Sequence, residues 1–219
     1  MTPTQWPAEL TARIARALRE ARKAAGLTMG DVARGCAERG LAEITEHSLK
    51  NLETGRKSSL AIADFLVLAD VLGVPPVTLL FPLGTSATVE VLPARQVSTW
   101  DALSWFTGEV PSMQPAPEGT AQNLLDTFRT HGDLVAAAAA STTLAKERRR
   151  AASTTLDRAR RAALLERAAG YEENAFEDCA ELRAFRDRMR GRDLMPPALP
   201  EELAFIDESE GTGRTPASA

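Results

Sequence analysis

The segment that decides the fold is TEHSLKNLETGR, residues 45–56. It begins with Thr45, whose hydroxyl can cap a helix by accepting a hydrogen bond from an amide of the first turn. Leu49 and Leu52 lie on one face of that helix, and Gly55 is the residue type that favours a helix end. The pattern predicts a short helix with a buried leucine face and a polar outer face.

Four further short helices are predicted around this segment. Before it, periodic apolar residues predict one helix from Leu10 to Ala21 and another, capped by Thr28, that runs to Cys36. After it, the same kind of pattern predicts helices over residues 60–72 and 76–81, the second opened by a proline. Together the five helices predict one small domain over residues 1–83.

The composition agrees with a helical fold. Only 5% of the 219 residues are aromatic, whereas strands are enriched in aromatic and β-branched residues. The length suits one compact domain and a second, looser region. The formal net charge is −4, so the chain as a whole has no basic excess. We expect an all-α protein.

The rest of the chain divides into three predicted segments. Residues 84–119 are predicted to be a linker with one short helix from Trp100 to Gly108. Residues 120–195 contain one or two long helices, a dimerisation region formed by a coiled coil or by a helical hairpin. Residues 196–219 are rich in Pro, Glu, Gly and Ser and are predicted to be disordered.

The predicted helix over residues 45–54 has the side chains of a recognition helix. In a major groove the N-terminal end of such a helix reaches the base edges, so short polar side chains are needed there. Asn51 suits adenine, Glu46 can accept from the cytosine amino group, and Lys50 suits a phosphate. The other polar side chains at this end are Thr45, His47 and Ser48.

A series of anchors from Ile14 to Leu80 resembles a known family. The shared stretches are Gly26-Leu27-Thr28, Val32-Ala33, Ser48-Leu49, Leu52-Glu53-Thr54-Gly55-Arg56, Leu68-Ala69 and Leu72-Gly73-Val74. In this order they resemble the phage-repressor or Cro-like helix-turn-helix regulators, also called the Xre type. The resemblance implies a five-helix lambda-repressor-like DNA-binding domain.

The resemblance also implies roles for individual residues. It implies an ion pair between Arg22 and Glu53 that ties the first helix to the end of the recognition helix. It places Arg56 and Lys57 in a loop that meets backbone phosphates. The base-contacting positions of the family fall on Glu46, His47, Ser48 and Asn51.

The chain departs from the family pattern at two places. Met29 stands where the family usually has a glutamine that grips a phosphate. The segment from Met29 to Glu53 is several residues longer than the compact motif, with the surplus between Cys36 and Ile44. That longer segment and the ending Leu194-Met195-Pro196-Pro197 resemble regulators of actinobacteria.

Enzymatic, metal-binding and membrane functions have no support in the sequence. His47 and His131 are the two histidines, and neither has partners at a catalytic or metal-binding spacing. Cys36 and Cys179 also lack such a spacing, and no glycine-rich phosphate loop occurs. No apolar stretch approaches the length of a membrane helix. We therefore expect no enzyme activity, cofactor, metal or membrane partner.

We expect a cytoplasmic transcriptional regulator, acting as a repressor, that binds double-stranded DNA as a homodimer. The alternative is a protein-interaction scaffold or an antitoxin-like adaptor that uses its C-terminal helices. The basic run from Lys146 to Arg167 is interpreted as a solvated helix face, with a second DNA contact as the alternative.

Overall fold

The computed structural model describes residues 5–109 and 115–208. The chain forms two compact units, one up to Pro111 and the other from Ser112. Helices dominate both units, so the predicted all-α class is confirmed; a single two-stranded sheet is found within the described residues.

Five helices make up most of the N-terminal unit. They are α1 (Trp6–Ala24), α2 (Met29–Glu38), α3 (Glu46–Glu53), α4 (Ile62–Val71) and α5 (Pro76–Leu80). All five predicted helices are present. Thr28 caps α2 by accepting from the Asp31 amide, while the Asp31 carboxylate accepts from the Thr28 amide. The cap signals in the sequence therefore mark real helix ends.

One hydrophobic core joins these five helices. Its most deeply buried members are Val32, Cys36, Leu68 and Ala69, each at most 2% exposed. Full burial of a large aliphatic side chain stabilises a fold by roughly 1.5–3 kcal/mol. This core fixes the position of α3, whose inner face contributes Leu49 and Leu52.

A β-hairpin and a sixth helix continue the N-terminal unit. Strands β1 (Thr88–Leu92) and β2 (Arg95–Ser98) pair antiparallel, and α6 (Thr99–Thr107) follows directly. A second hydrophobic cluster unites them with the end of the helical domain; it consists of Phe81, Val89, Val91 and Ala102. The segment predicted as a linker over residues 84–119 thus contains a β-hairpin as well as the expected short helix, and these elements bury an apolar face against Phe81.

Two long helices form the C-terminal unit. They are α7 (Ala121–Thr154) and α8 (Arg158–Gly191), and they pack side by side along their length. Residues 155–157 connect them, and the Asp157 carboxylate caps α8 by accepting from the Arg160 amide at 2.6 Å. Of the two predicted arrangements, the chain forms the helical hairpin. None of the described helices is both long and apolar enough to cross a bilayer.

The seam between α7 and α8 repeats every seven residues. Small side chains occupy most of it, which allows two helices to approach closely. The buried residues with this spacing are His131, Ala138, Ala145 and Ala152 on α7, and Ala168, Ala175, Leu182 and Met189 on α8. In the half of the seam next to the connection, the buried residues at this spacing are all alanines.

A short 3₁₀ helix, Glu201–Ile206, covers the other end of the hairpin. Leu203 and Ile206 are at most 3% exposed and pack with Leu182. Residues 196–208 are therefore ordered, unlike the predicted tail, because their apolar side chains find a surface on α7 and α8. The remainder of that tail, residues 209–219, lies outside the described residues.

Candidate nucleic-acid interface

Reciprocal hydrogen bonds fix the start of α3. The Thr45 hydroxyl accepts from the Ser48 amide at 3.2 Å, and the Thr45 amide donates to Ser48 Oγ at 2.9 Å. The predicted Thr45 cap is confirmed. Ser48 Oγ also donates to the Thr45 carbonyl at 2.9 Å. Its only hydroxyl proton is thus engaged within the helix start, which the sequence pattern did not reveal.

The two faces of α3 differ sharply in burial. Leu49 and Leu52 are 5% and 3% exposed and face the core. On the opposite side, Glu46, His47 and Lys50 are exposed. Asn51 lies at the edge between the faces and is half-buried. The polar N-terminal edge of α3 therefore faces away from the hydrophobic core.

The Glu46 carboxylate lies beside the first turn of α2. A Cβ atom at Gly30 would stand 2.8 Å from Glu46 Oε1, closer than real side chains approach. The N-terminal end of a helix carries partial positive charge and favours a carboxylate. Gly30 therefore leaves the space that Glu46 occupies, and this brings the starts of α2 and α3 together. A glycine within the first turn of a helix was the only sequence signal for this contact.

The chain after α3 folds back onto Asn51. Gly55 has a φ of +73°, a backbone conformation that suits glycine. The amides of Arg56 and Lys57 then both donate to the Asn51 carbonyl, at 2.9 and 3.2 Å. As a result Ser48, Asn51, Arg56 and Lys57 line one shallow recess. Four of the predicted site residues, from two parts of the sequence, therefore share one surface.

The two cations of this recess differ in their partners. Lys57 Nζ lies 3.2 Å from Asp64 Oδ2 on α4, an ion pair that the sequence did not indicate. The Arg56 side chain is exposed, and its guanidinium contacts no acidic side chain in residues 5–109 or 115–208. Arg56 is thus the more available cation for an anionic ligand.

An ion pair ties the end of α3 to α1. Arg22 donates from Nε and Nη2 to the two carboxylate oxygens of Glu53, at 2.7 and 2.8 Å, and from Nη1 to the Leu27 carbonyl at 3.0 Å. The hydrogen bond to Glu53 raises the pKa of Arg22 above its ordinary value. The pair that the resemblance implied for Arg22 and Glu53 is present.

The additional residues between α2 and α3 lie in the connection over residues 39–45. Cys36 and Ile44 are buried and hold the two ends of this connection in the core. Burial also raises the pKa of the Cys36 thiol. Arg39 forms an ion pair with Asp70 on α4. The longer connection is therefore anchored to the helical domain at both of its ends.

One comparison with known proteins gave a match, and the match covers the region that contains α3. A family model described as "Helix-turn-helix domain" matches residues 13–80. Neither the curated proteins nor the solved structures gave a match. In the described part of the chain, no group of three or more His, Cys, Asp or Glu side chains is placed to hold a metal ion. Residues 13–80 thus form a helix-turn-helix domain, the kind of domain found in DNA-binding regulators.

Proposed function

We propose that this chain is a cytoplasmic transcriptional regulator of the Xre type that binds double-stranded DNA in a sequence-specific manner. The observation that carries the proposal is the polar N-terminal edge of α3, exposed at the surface of a matched helix-turn-helix domain. A helix enters a major groove with this end toward the bases.

The side chains of α3 divide between bases and phosphates. Asn51 offers an amide that pairs with adenine through two hydrogen bonds, and Glu46 accepts from the cytosine amino group. His47 can donate or accept at a base edge. Lys50, Arg56 and Lys57 neutralise phosphates. Thr45 and Ser48 hold the helix start and contact the DNA beside it.

We further propose that the regulator acts as a repressor and binds as a homodimer. One small domain makes few base contacts, and related domains gain specificity by placing two recognition helices about 34 Å apart on a twofold site. A repressor needs no further surface, since occupancy of a promoter is sufficient to block transcription. We propose no catalytic activity.

Selection of bound fragments from a random duplex pool tests the proposal. With the full chain at physiological salt, we expect an enriched palindromic motif whose affinity exceeds that of random DNA by at least about 10³-fold. An antitoxin-like adaptor or scaffold that acts through its C-terminal helices predicts no enriched motif. Enrichment of a single asymmetric half-site would retain DNA binding and reject the dimer.

A further inference from the structure

The closed end of the C-terminal hairpin concentrates positive charge. We call residues 146–167 the basic tip: the last turns of α7, the connection and the first turns of α8. It contains three acidic residues, Glu147, Asp157 and Glu166, in a chain whose net charge is −4. Its eight basic residues are Lys146, Arg148, Arg149, Arg150, Arg158, Arg160, Arg161 and Arg167.

Most of this charge is available to a ligand. Lys146, Arg150, Arg158, Arg160 and Arg167 are exposed, and none forms an ion pair with a residue that the structure describes. Three others have partners within the hairpin: Arg148 lies over the Tyr171 ring, Arg149 is 3.6 Å from Glu172, and Arg161 donates to the Thr155 carbonyl.

The position of the arginines in α8 opposes helix stability. Arg158 and Arg160 lie in its first turn, where the partial positive charge of a helix end disfavours cations, and no acidic residue lies in that turn. The Asp157 carboxylate is engaged by the Arg160 amide as the helix cap. The start of α8 therefore gains no stability from these two exposed charges, and they remain available to an anionic ligand.

An open groove between the two helices adjoins the basic tip and includes side chains from its α7 part. Two buried seam alanines, Ala145 and Ala175, are among its lining residues, together with basic and hydroxyl side chains. Its lining consists of Thr142, Ala145, Lys146, Arg149, Arg150, Ser153, Glu172 and Ala175. Guanidinium, ammonium and hydroxyl groups are the donors that proteins use on phosphate oxygens. Glu172 is the one acidic member, and it faces Arg149.

We propose that the basic tip binds the phosphate backbone of duplex DNA, as a contact additional to α3. The inference rests on the proposed function, which supplies the polyanion. An anionic membrane fits less well, because an interfacial helix needs a broad apolar face. At the tip Leu156 is the exposed large apolar side chain, with alanines around it. With arginine and lysine as its donors, the contact is independent of base sequence and sensitive to salt.

The variant R158Q/R160Q tests this contact in the full chain. It removes two charges that disfavour the helix start, so the hairpin is expected to remain folded. The control A180E/A184E changes the net charge by the same amount at exposed positions farther along α8. We expect R158Q/R160Q to weaken binding about 5- to 50-fold, on the selected duplex and on random duplex alike, and to reduce the salt slope by about 1–2. The control should change both quantities much less.

The outcomes separate this inference from the proposed function. If R158Q/R160Q binds DNA with the affinity and salt slope of the wild type, while Asn51→Ala still relaxes base preference, the DNA contact by the basic tip is wrong and the proposed function stands. A chain that binds no duplex overturns both. If A180E/A184E weakens DNA binding as much as R158Q/R160Q does, the effect comes from the net charge, and the contact by the basic tip is rejected. If phosphatidylserine vesicles bind the wild type but not R158Q/R160Q, and DNA binding is unchanged, the tip contacts lipid and the proposal is wrong.

Discussion

Arg22 donates hydrogen bonds to both carboxylate oxygens of Glu53, and this ion pair joins α1 to the last residue of α3. The Glu53 side chain is only 7% exposed and that of Arg22 13%. A buried charge that loses its partner costs far more than an exposed one. The orientation of α3 therefore depends on a contact made at the end opposite to its polar edge.

We expect Glu53→Gln to lower the free energy of unfolding of the N-terminal unit by about 2–3 kcal/mol, because it leaves the Arg22 charge without a counter-ion. The three tryptophans, Trp6, Trp100 and Trp105, all lie in this unit, so urea denaturation followed by tryptophan fluorescence reports on it selectively. Asp70→Asn is the control, since its pair with Arg39 is largely exposed and should be worth less than about 1 kcal/mol. Equal losses for both variants would contradict the assigned role of Glu53.

The recess beside α3 predicts two different defects in DNA binding. Asn51→Ala should relax base preference at one position by about 1–3 kcal/mol, because an adenine loses its paired amide. Arg56→Ala should weaken binding to all sequences alike and reduce the salt slope by about 1. Competition between fragments that differ in single base pairs, repeated over a salt series, measures both effects. If both variants bind as the wild type does, this face of α3 does not contact DNA.

The alanine seam predicts a strong dependence on side-chain size. We expect Ala168→Leu to destabilise the hairpin by about 1–3 kcal/mol, because Ala168 is fully buried between the helices and a larger side chain forces them apart. Ala169, its exposed neighbour, provides the control: Ala169→Leu should change stability by no more than about 0.5 kcal/mol. Thermal denaturation followed by far-UV circular dichroism compares the two. Similar melting curves for both variants would show that the helices do not pack through this face.

His131 makes the stability of the C-terminal unit sensitive to pH. Its Nε2 lies 2.6 Å from Arg186 Nη1. Burial and then the Arg186 charge lower the pKa of His131 below 6.5. Below that pH the unfolded chain takes up a proton that the folded state disfavours, so the free energy of unfolding should fall as the pH drops from about 7 to about 5. In His131→Gln this fall should be largely absent.

Asp207 acts in a separate pH range. Hydrogen bonding to Arg186 lowers the pKa of Asp207 below 3.8, so its stabilising effect is complete above that value and is lost as the pH falls through the lowered pKa. Urea denaturation of the full chain at several pH values, followed by Tyr171 fluorescence, distinguishes the two groups. An unchanged pH dependence between about pH 7 and pH 5 in His131→Gln would assign the effect to other residues.

Local signals sufficed to predict the helical domain. Thr45 and Gly55 mark the two ends of α3 through cap chemistry that depends only on neighbouring residues. The pairing of Arg22 with Glu53 followed from family resemblance. Ser48 shows the limit of such patterns. Its residue type suits both base contact and capping, and the folded geometry decides that its hydroxyl donates to the Thr45 carbonyl.

Elements that depend on distant surfaces could not be predicted in the same way. The β-hairpin turns at Ala94, which has a φ of +60°. Glycine or asparagine is usual at such a turn position, so no sequence signal marks this hairpin. The segment from Pro196 has the composition of a disordered tail, yet Leu203 finds a site on the hairpin. The break between α7 and α8 has no glycine or proline, so only Asp157 marks it.

Under the proposed function, the absence of a side chain at Gly30 has a consequence for base preference. A side chain at position 30 would collide with the Glu46 carboxylate, so we expect any larger residue there to move Glu46 and the base contact that we propose for it. A genetic selection for altered operator preference should therefore recover changes at position 30, although this residue reads no base. Evolution of a new target site can thus proceed through a mutation one step removed from the DNA.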